Sequence, residues 1–204
     1  MFRLDNILEY WAQHYRPLSH DPIRAHKHCT FFRVGMIDGN SEFVRNFNVT
    51  PSPAMAYVTH IDGELEEQNP KVTNYRHVIY FMVKQAAGTL SKTAATDEMS
   101  ATDARFFADE MVQDLLAYLF NLKAMVNGKY FPKDVPGSII PPQPFDKLTQ
   151  EGLRGLQLEK ANWATLPMMF SGWHVCGLTL YQVAPRDLCI KPNKYIDSSE
   201  SSSD

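Results

Sequence analysis

The sequence predicts an α+β fold: a mainly antiparallel sheet of four to five strands with an N-terminal helix and one long helix packed on it. Alternating apolar residues recur in four stretches between Thr30 and Lys84, and such alternation indicates strands because successive side chains point to opposite faces of a sheet. A helical repeat of apolar residues extends from Ala101 to Asn127. Alternation returns between residues 169 and 183, which predicts a fifth strand pairing with this sheet.

The first predicted element is an amphipathic helix over residues 2–15. Pro17 and Pro22 end it, because proline cannot donate the helical hydrogen bond. Its apolar side chains recur at three- and four-residue steps and would share one face: Leu4, Ile7, Leu8, Trp11 and Tyr15.

The central stretch is predicted to form a four-stranded antiparallel sheet, with strands over residues 30–37, 43–49, 55–61 and 74–84. Asp38-Gly39 would form the turn after the first strand, because glycine accepts a positive φ angle without steric cost. An acidic cluster precedes the last strand. Its spacing differs from that of a calcium-binding loop, so a solvated hairpin loop is predicted there rather than a cation site. The cluster comprises Asp62, Glu64, Glu66 and Glu67.

The long helix is predicted to begin after Ser100, with Asp103 in the third position of a capping box, and to end at Asn127-Gly128. Its wide apolar stripe predicts packing on the sheet. The stripe contains Ala104, Ala108, Met111, Leu115, Tyr118, Leu122 and Val126.

Two long connections flank this helix: a small and polar loop over residues 85–100, and a segment with five prolines over residues 130–146 that would lie extended on the surface. Residues 147–162 are compatible with either a short helix or an irregular edge segment. Residues 1–196 are predicted to form one domain, and the acidic, serine-rich tail of residues 197–204 to be disordered, because it has no apolar side chain to bury.

Composition restricts the function. The 20 basic and 23 acidic residues show no basic clustering of the kind that binds phosphates, so no sequence-specific nucleic-acid partner is expected. No apolar run approaches the roughly 18 residues that span a bilayer, and the first residues lack a secretory signal pattern, so no membrane partner is expected. Three widely spaced cysteines favour a reducing compartment.

The most suggestive chemistry is in the segment His26-Lys-His28-Cys29, since alternate residues of a strand share one side, and His174 and Cys176 repeat this spacing. Zinc prefers such nitrogen and sulfur ligands. The usual paired ligand spacings are absent, however, and no motif supports an activated cysteine nucleophile. We therefore predict no catalytic role, no metal and no cofactor for these residues, and no enzyme activity.

Three stretches carry a resemblance to a known family. Residues Tyr75–Lys84 (YRHVIYFMVK) form a long apolar strand that leads through a loop into the helix at Phe106–Met125. Trp163-Ala-Thr-Leu-Pro then precedes Gly172–Leu180 near the last strand. In these stretches and in element order, residues 1–190 resemble the small α+β tail-terminator, or tail-completion, proteins of tailed bacteriophages. The long region 129–168 and the acidic tail depart from that pattern.

The resemblance implies a virion structural protein, assembled in the host cytoplasm, that forms a homo-oligomeric ring joining the tail tube to the head or neck. Its partners would be further copies of itself and neighbouring tail or neck proteins. The candidate contact surfaces are the loops at 38–41, 62–73 and 85–100 and the proline-rich arm at 130–146. Two alternatives stay open: another head–tail connector component, or a cytosolic metal-binding protein or enzyme that uses the His26/His28/Cys29 cluster.

Overall fold

A computed structural model of the protein describes residues 4–21, 29–34, 52–66, 69–84, 101–127, 147–166 and 172–185. Within these ranges three helices lie against a five-stranded sheet, with strand order β1-β2-β3-β5-β4. The elements in chain order are α1 (Leu4–His14), β1 (Phe31–Val34), β2 (Ala54–Glu66), β3 (Asn69–Lys84), α2 (Ala101–Val126), α3 (Lys147–Gly155), β4 (Leu156–Leu166) and β5 (Trp173–Pro185).

The sheet is mixed. β2 and β3 form a long antiparallel hairpin, β3 pairs antiparallel with β5, and β5 pairs antiparallel with β4. β1 runs parallel to β2, with Phe31 opposite Met55. The α+β class is therefore confirmed, whereas the expectation that the strands between Thr30 and Lys84 are all antiparallel is wrong. Alternation shows which residues share a face but not which way a strand runs, because both directions have the same two-residue period.

The expected hairpin loop at 62–73 is also corrected. Asp62, Glu64 and Glu66 belong to β2, and β3 begins at Asn69. The backbones of Asp62 and Arg76 lie opposite each other in the ladder. Strand pairing uses main-chain groups, so a polar stretch can continue a hairpin arm beyond the apolar core. Several predicted features lie outside the described residues: the strand at 43–49, the turn at 38–39, Glu67, the segments 85–100 and 130–146, and the tail 197–204.

The segment that allowed two interpretations contains a helix and a strand. α3 ends at Gly155 and β4 begins at the next residue, Leu156. A Cβ atom at Gly155 would collide with the carbonyl group of Val183, so only glycine allows the chain to turn this closely past β5. β4 has no apolar alternation over most of its length, because it is exposed from Glu159 to Thr165 apart from the half-buried Ala161. The sequence pattern therefore did not predict it.

All three helices contribute to one apolar core on one face of the sheet. α1 lies near β1 and β2, and α2 lies over β3, β4 and β5. The predicted α2 stripe is confirmed as core, with Met111, Leu115 and Leu122 essentially inaccessible. The alternation predicted for β5 is confirmed too: Cys176 and Leu178 face the helices, whereas Trp173 and Val175 join a smaller buried cluster on the opposite face. The rest of that cluster is Val34, Ala54, Ala56 and Met82.

Candidate functional site

A chain of hydrogen bonds crosses the helix-facing side of the sheet inside the core. The hydroxyl of Tyr57 on β2 lies 2.9 Å from Nδ1 of His77 on β3. Nε2 of His77 lies 2.9 Å from Oε1 of Gln182 on β5. The amide nitrogen of Gln182 donates in turn to the carbonyl oxygen of Gly152 on α3, at 3.3 Å. Tyr57, His77 and Gln182 are all buried, so this polar chain lies almost wholly out of water.

The last bond sets the direction of the others. A carbonyl oxygen can only accept, so the amide nitrogen of Gln182 faces Gly152 and its oxygen faces His77. Nε2 of His77 must then carry the proton and donate to that oxygen. Nδ1 of the neutral ring is left as an acceptor, and it receives the hydroxyl hydrogen of Tyr57. Each member of the chain therefore has a partner of the correct polarity.

Burial also determines the charge states. Desolvation lowers the pKa of His77 below its ordinary value of 6.5, against the opposing effect of its bond to Gln182. Burial, with a smaller contribution from the charge of Asp5, raises the pKa of the Tyr57 hydroxyl. Both groups are thus neutral near pH 7, and both ring nitrogens of His77 are occupied. Such an imidazole has no free nitrogen for a metal or a substrate proton, so the arrangement indicates a structural role.

A second buried histidine fastens the segment after α1 to β1. Nδ1 of His20 accepts from the backbone N–H groups of Thr30 and Phe31, at 3.2 and 3.3 Å. The Thr30 hydroxyl donates to the carbonyl oxygen of Leu18 at 2.9 Å. His20 therefore satisfies the two backbone N–H groups at the start of β1. Neither His20 nor His77 is predicted as a site residue from the sequence, since nothing in their local pattern distinguishes a buried histidine from a surface one.

Two ion pairs also connect β1 to α1. The Arg33 guanidinium lies 3.0 Å from a carboxylate oxygen of Asp5 and 2.6 Å from one of Glu9, both on α1. Asp5 is buried, so this bridge is better shielded from solvent than an ordinary surface pair. These ion pairs link the short strand β1 to α1. The Arg33 charge is balanced by the two carboxylates of the same chain, which indicates a structural role.

The predicted His/Cys candidates are only partly described. His26 and His28 lie outside the described residues. Cys29 is half-buried, with its Sγ atom donating to the carbonyl oxygen of Phe31 at 3.7 Å, and Cys176 is buried on β5. His174 shares the face of Cys176, as the spacing predicted. Across the described ranges, no group of three or more His, Cys, Asp or Glu side chains is placed to hold a metal ion.

The two described thiols have electrostatic surroundings unlike those of a nucleophile. Burial, helped by the charge of Glu9, raises the pKa of Cys29. Burial, helped by Asp109, raises the pKa of Cys176 to about 11. A cysteine nucleophile needs a lowered pKa to form its thiolate near neutral pH. These two sulfurs therefore stay protonated.

The features that sequence reasoning missed lie on the outside of α2 and β4. Phe106 on α2 is 69% exposed and Trp163 on β4 is 41% exposed. The indole N–H of Trp163 donates to Oδ1 of Asp109 at 2.8 Å, and the amide of Gln113 donates to Oδ2 of the same carboxylate at 2.7 Å. Asp109 is one helical turn from Phe106. The bond holds the indole in place while much of its surface contacts water.

β4 is an end strand of the sheet and pairs with β5 on one side only, as far as the described strands show. Residues 162–166 (Asn-Trp-Ala-Thr-Leu) carry no charge, and the first four are exposed. Natural edge strands usually carry charges, prolines or irregularities that discourage pairing. β4 has such features only earlier, where Glu159 and Lys160 lie within a register shift. We call residues 162–166 the β4 edge surface.

Searches of protein-family models and of curated proteins found no match to this sequence. The described helices include none that is long and apolar enough to cross a membrane.

Proposed function

We propose that the protein is a non-enzymatic structural subunit of a virion: a ring-forming tail terminator or neck subunit that joins the tail tube to the head. The observation that carries the proposal is the β4 edge surface. An uncharged strand edge with an exposed tryptophan side chain is the kind of surface that another polypeptide covers. An assembly protein needs such a surface, whereas an isolated enzyme does not.

The side chains of this surface suit a protein interface. Tryptophan is enriched among residues that dominate binding energy, because it buries a large apolar area. The bond to Asp109 already restricts the Trp163 side chain, so docking a partner costs less rotamer entropy than for a free indole. Free N–H and C=O groups of an edge strand add directional hydrogen bonds.

The buried polar groups favour the structural interpretation over the enzyme alternative. His77 has both ring nitrogens occupied by protein partners. Nδ1 of His20 accepts hydrogen bonds from two backbone N–H groups. The described thiols are protonated at neutral pH. The alternative built on His26, His28 and Cys29 has support only from residue type and spacing.

The described elements are a helix, a strand, a long hairpin, the long helix α2, the short helix α3 and a closing pair of antiparallel strands, β4 and β5. A ring requires heterologous contacts, in which one surface of a subunit meets a different surface of the next. We propose that segments 85–100 and 130–146 provide one side of such contacts with neighbouring copies or with tail and neck proteins. Another connector role in the same neck is the second candidate, since the same surfaces would serve it.

The test is the assembly state of the full-length chain. We expect mass photometry and negative-stain electron microscopy to show closed multimers, and immunogold labelling of particles to place the protein at the neck. Label at another point of the particle would favour the connector alternative. A monomer that carries one zinc ion per chain, lost on His28→Ala, would contradict the structural proposal and support the metal-binding one.

A further inference from the structure

We propose that two copies of this chain associate through β4, with residues 162–166 of each strand pairing antiparallel about a two-fold axis at Ala164. This inference rests on the proposed assembly function and names one of its contacts. In this register Asn162 lies opposite Leu166 of the second copy, and Trp163 lies opposite its Thr165. The two sheets then continue into each other across the edge at which β4 has no neighbour among the described strands.

The faces of the strand match this register. Trp163 lies opposite Leu178 of β5, and Thr165 lies opposite Cys176, so both point to the helix side of the sheet. Pairing about Ala164 therefore places Trp163 of one copy beside Thr165 of the other on the same face. Cross-strand pairs of an aromatic and a β-branched side chain are among those that stabilise antiparallel strands.

The lack of charged side chains in residues 162–166 is also compatible with this pairing. No residue from 162 to 166 is ionisable, so no like charges oppose each other in a strand that meets its own copy. The nearest charged residues on β4, Glu159 and Lys160, lie outside this register and have opposite signs. Glu159 is already 4.0 Å from the Lys123 ammonium of its own chain.

The helix layers are compatible with this pairing. A two-fold axis perpendicular to the sheet keeps both helix layers on one side, so α2 of each copy flanks the joint. Asp109 and Lys123 mark the side of α2 that faces β4, since they contact Trp163 and the carbonyl oxygen of Leu156. Each copy thus brings its exposed Trp163 side chain to the joint.

A two-fold contact closes at two subunits. It is therefore separate from the heterologous contacts of a ring, and the two can be tested apart. The decisive position is Ala164, because it is exposed and would meet itself at the axis.

The experiment compares Ala164→Lys, Ala164→Glu and wild type by sedimentation velocity over a range of concentrations, with circular dichroism to verify folding. The control is Gln13→Lys, which adds the same charge at an exposed position of α1, near the opposite end of the sheet. We expect each Ala164 variant to raise the dissociation constant of the pair by about tenfold or more, because like charges meet. A mixture of the two variants should associate again, since lysine then meets glutamate. Gln13→Lys should behave as wild type.

Ala164→Lys that pairs as tightly as wild type would overturn the β4 contact and leave the proposed assembly function standing. Variants that are both weakened but do not recover on mixing would also contradict self-pairing, because the edge would then bind something other than its own copy. A wild-type chain that stops at the dimer, with recovery in the mixture, would support the pairing and contradict the ring. A wild-type chain that stays monomeric at every concentration would overturn both.

Discussion

The hydrogen bonds of Tyr57, His77 and Gln182 are buried, so they should contribute to the stability of the fold. We predict that removing the Tyr57 hydroxyl lowers the free energy of unfolding, whereas removing an exposed hydroxyl does not. Tyr57→Phe keeps the aromatic ring and removes only the hydroxyl that donates to Nδ1 of His77. The acceptor nitrogen is then buried without its donor, which costs about 1–3 kcal/mol. Nothing else in the core changes volume, so this figure is the expected difference in unfolding free energy.

The assay is urea unfolding at pH 7.5, followed by circular dichroism and analysed as a two-state transition. Tyr181→Phe is the matched control, because Tyr181 is exposed and the same atom is removed. The control should stay within about 0.5 kcal/mol of wild type. A Tyr57→Phe loss no greater than that of the control would refute a stabilising hydrogen bond between Tyr57 and His77.

The same chain predicts a pH dependence. The pKa of folded His77 is lowered from 6.5, mainly by burial, so the unfolded chain binds this proton more readily. Stability therefore falls as pH drops below about 6.5, and continues to fall until the folded pKa is reached. His77→Leu removes this titration, so its stability should change less than that of wild type between pH 7 and pH 5. Equal pH slopes for both proteins would contradict the lowered pKa.

Three further predictions concern the core, the histidine cluster and the proline-rich arm. Leu115→Ala should lose about 2–5 kcal/mol in the same urea assay, because Leu115 is fully buried in the core beneath α2, whereas a loss below about 1 kcal/mol would contradict that packing. Protein purified without chelator should contain far less than one zinc per chain by elemental analysis, and near-stoichiometric zinc lost on His28→Ala would reverse this interpretation. Replacing residues 130–146 with a short Gly/Ser linker should leave the circular dichroism spectrum unchanged and abolish ring formation in electron micrographs. Rings that form normally without this arm would exclude it as an assembly surface.

Sequence periodicity alone predicted the elements whose side chains divide between core and solvent. α1 and α2 each have an apolar stripe at helical spacing, and the structure buries those stripes. β5 alternates between two buried clusters, so its faces were also predicted correctly. In these elements a residue's environment depends on its position along its own helix or strand, which is information that a single sequence contains.

Only the tertiary structure decided which strands are neighbours, which way β1 runs, and that β4 exists. β4 is exposed over most of its length, so burial does not require apolar and polar residues to alternate along it. Its hydrogen bonds to β5 are formed by main-chain groups, so they do not require particular side chains. His77 differs from a surface histidine only because Tyr57 and Gln182 come from strands on either side of it in the sheet, and Gln182 lies 105 residues away in the chain. Partners brought together across that separation depend on the sheet order, and no local spacing encodes it.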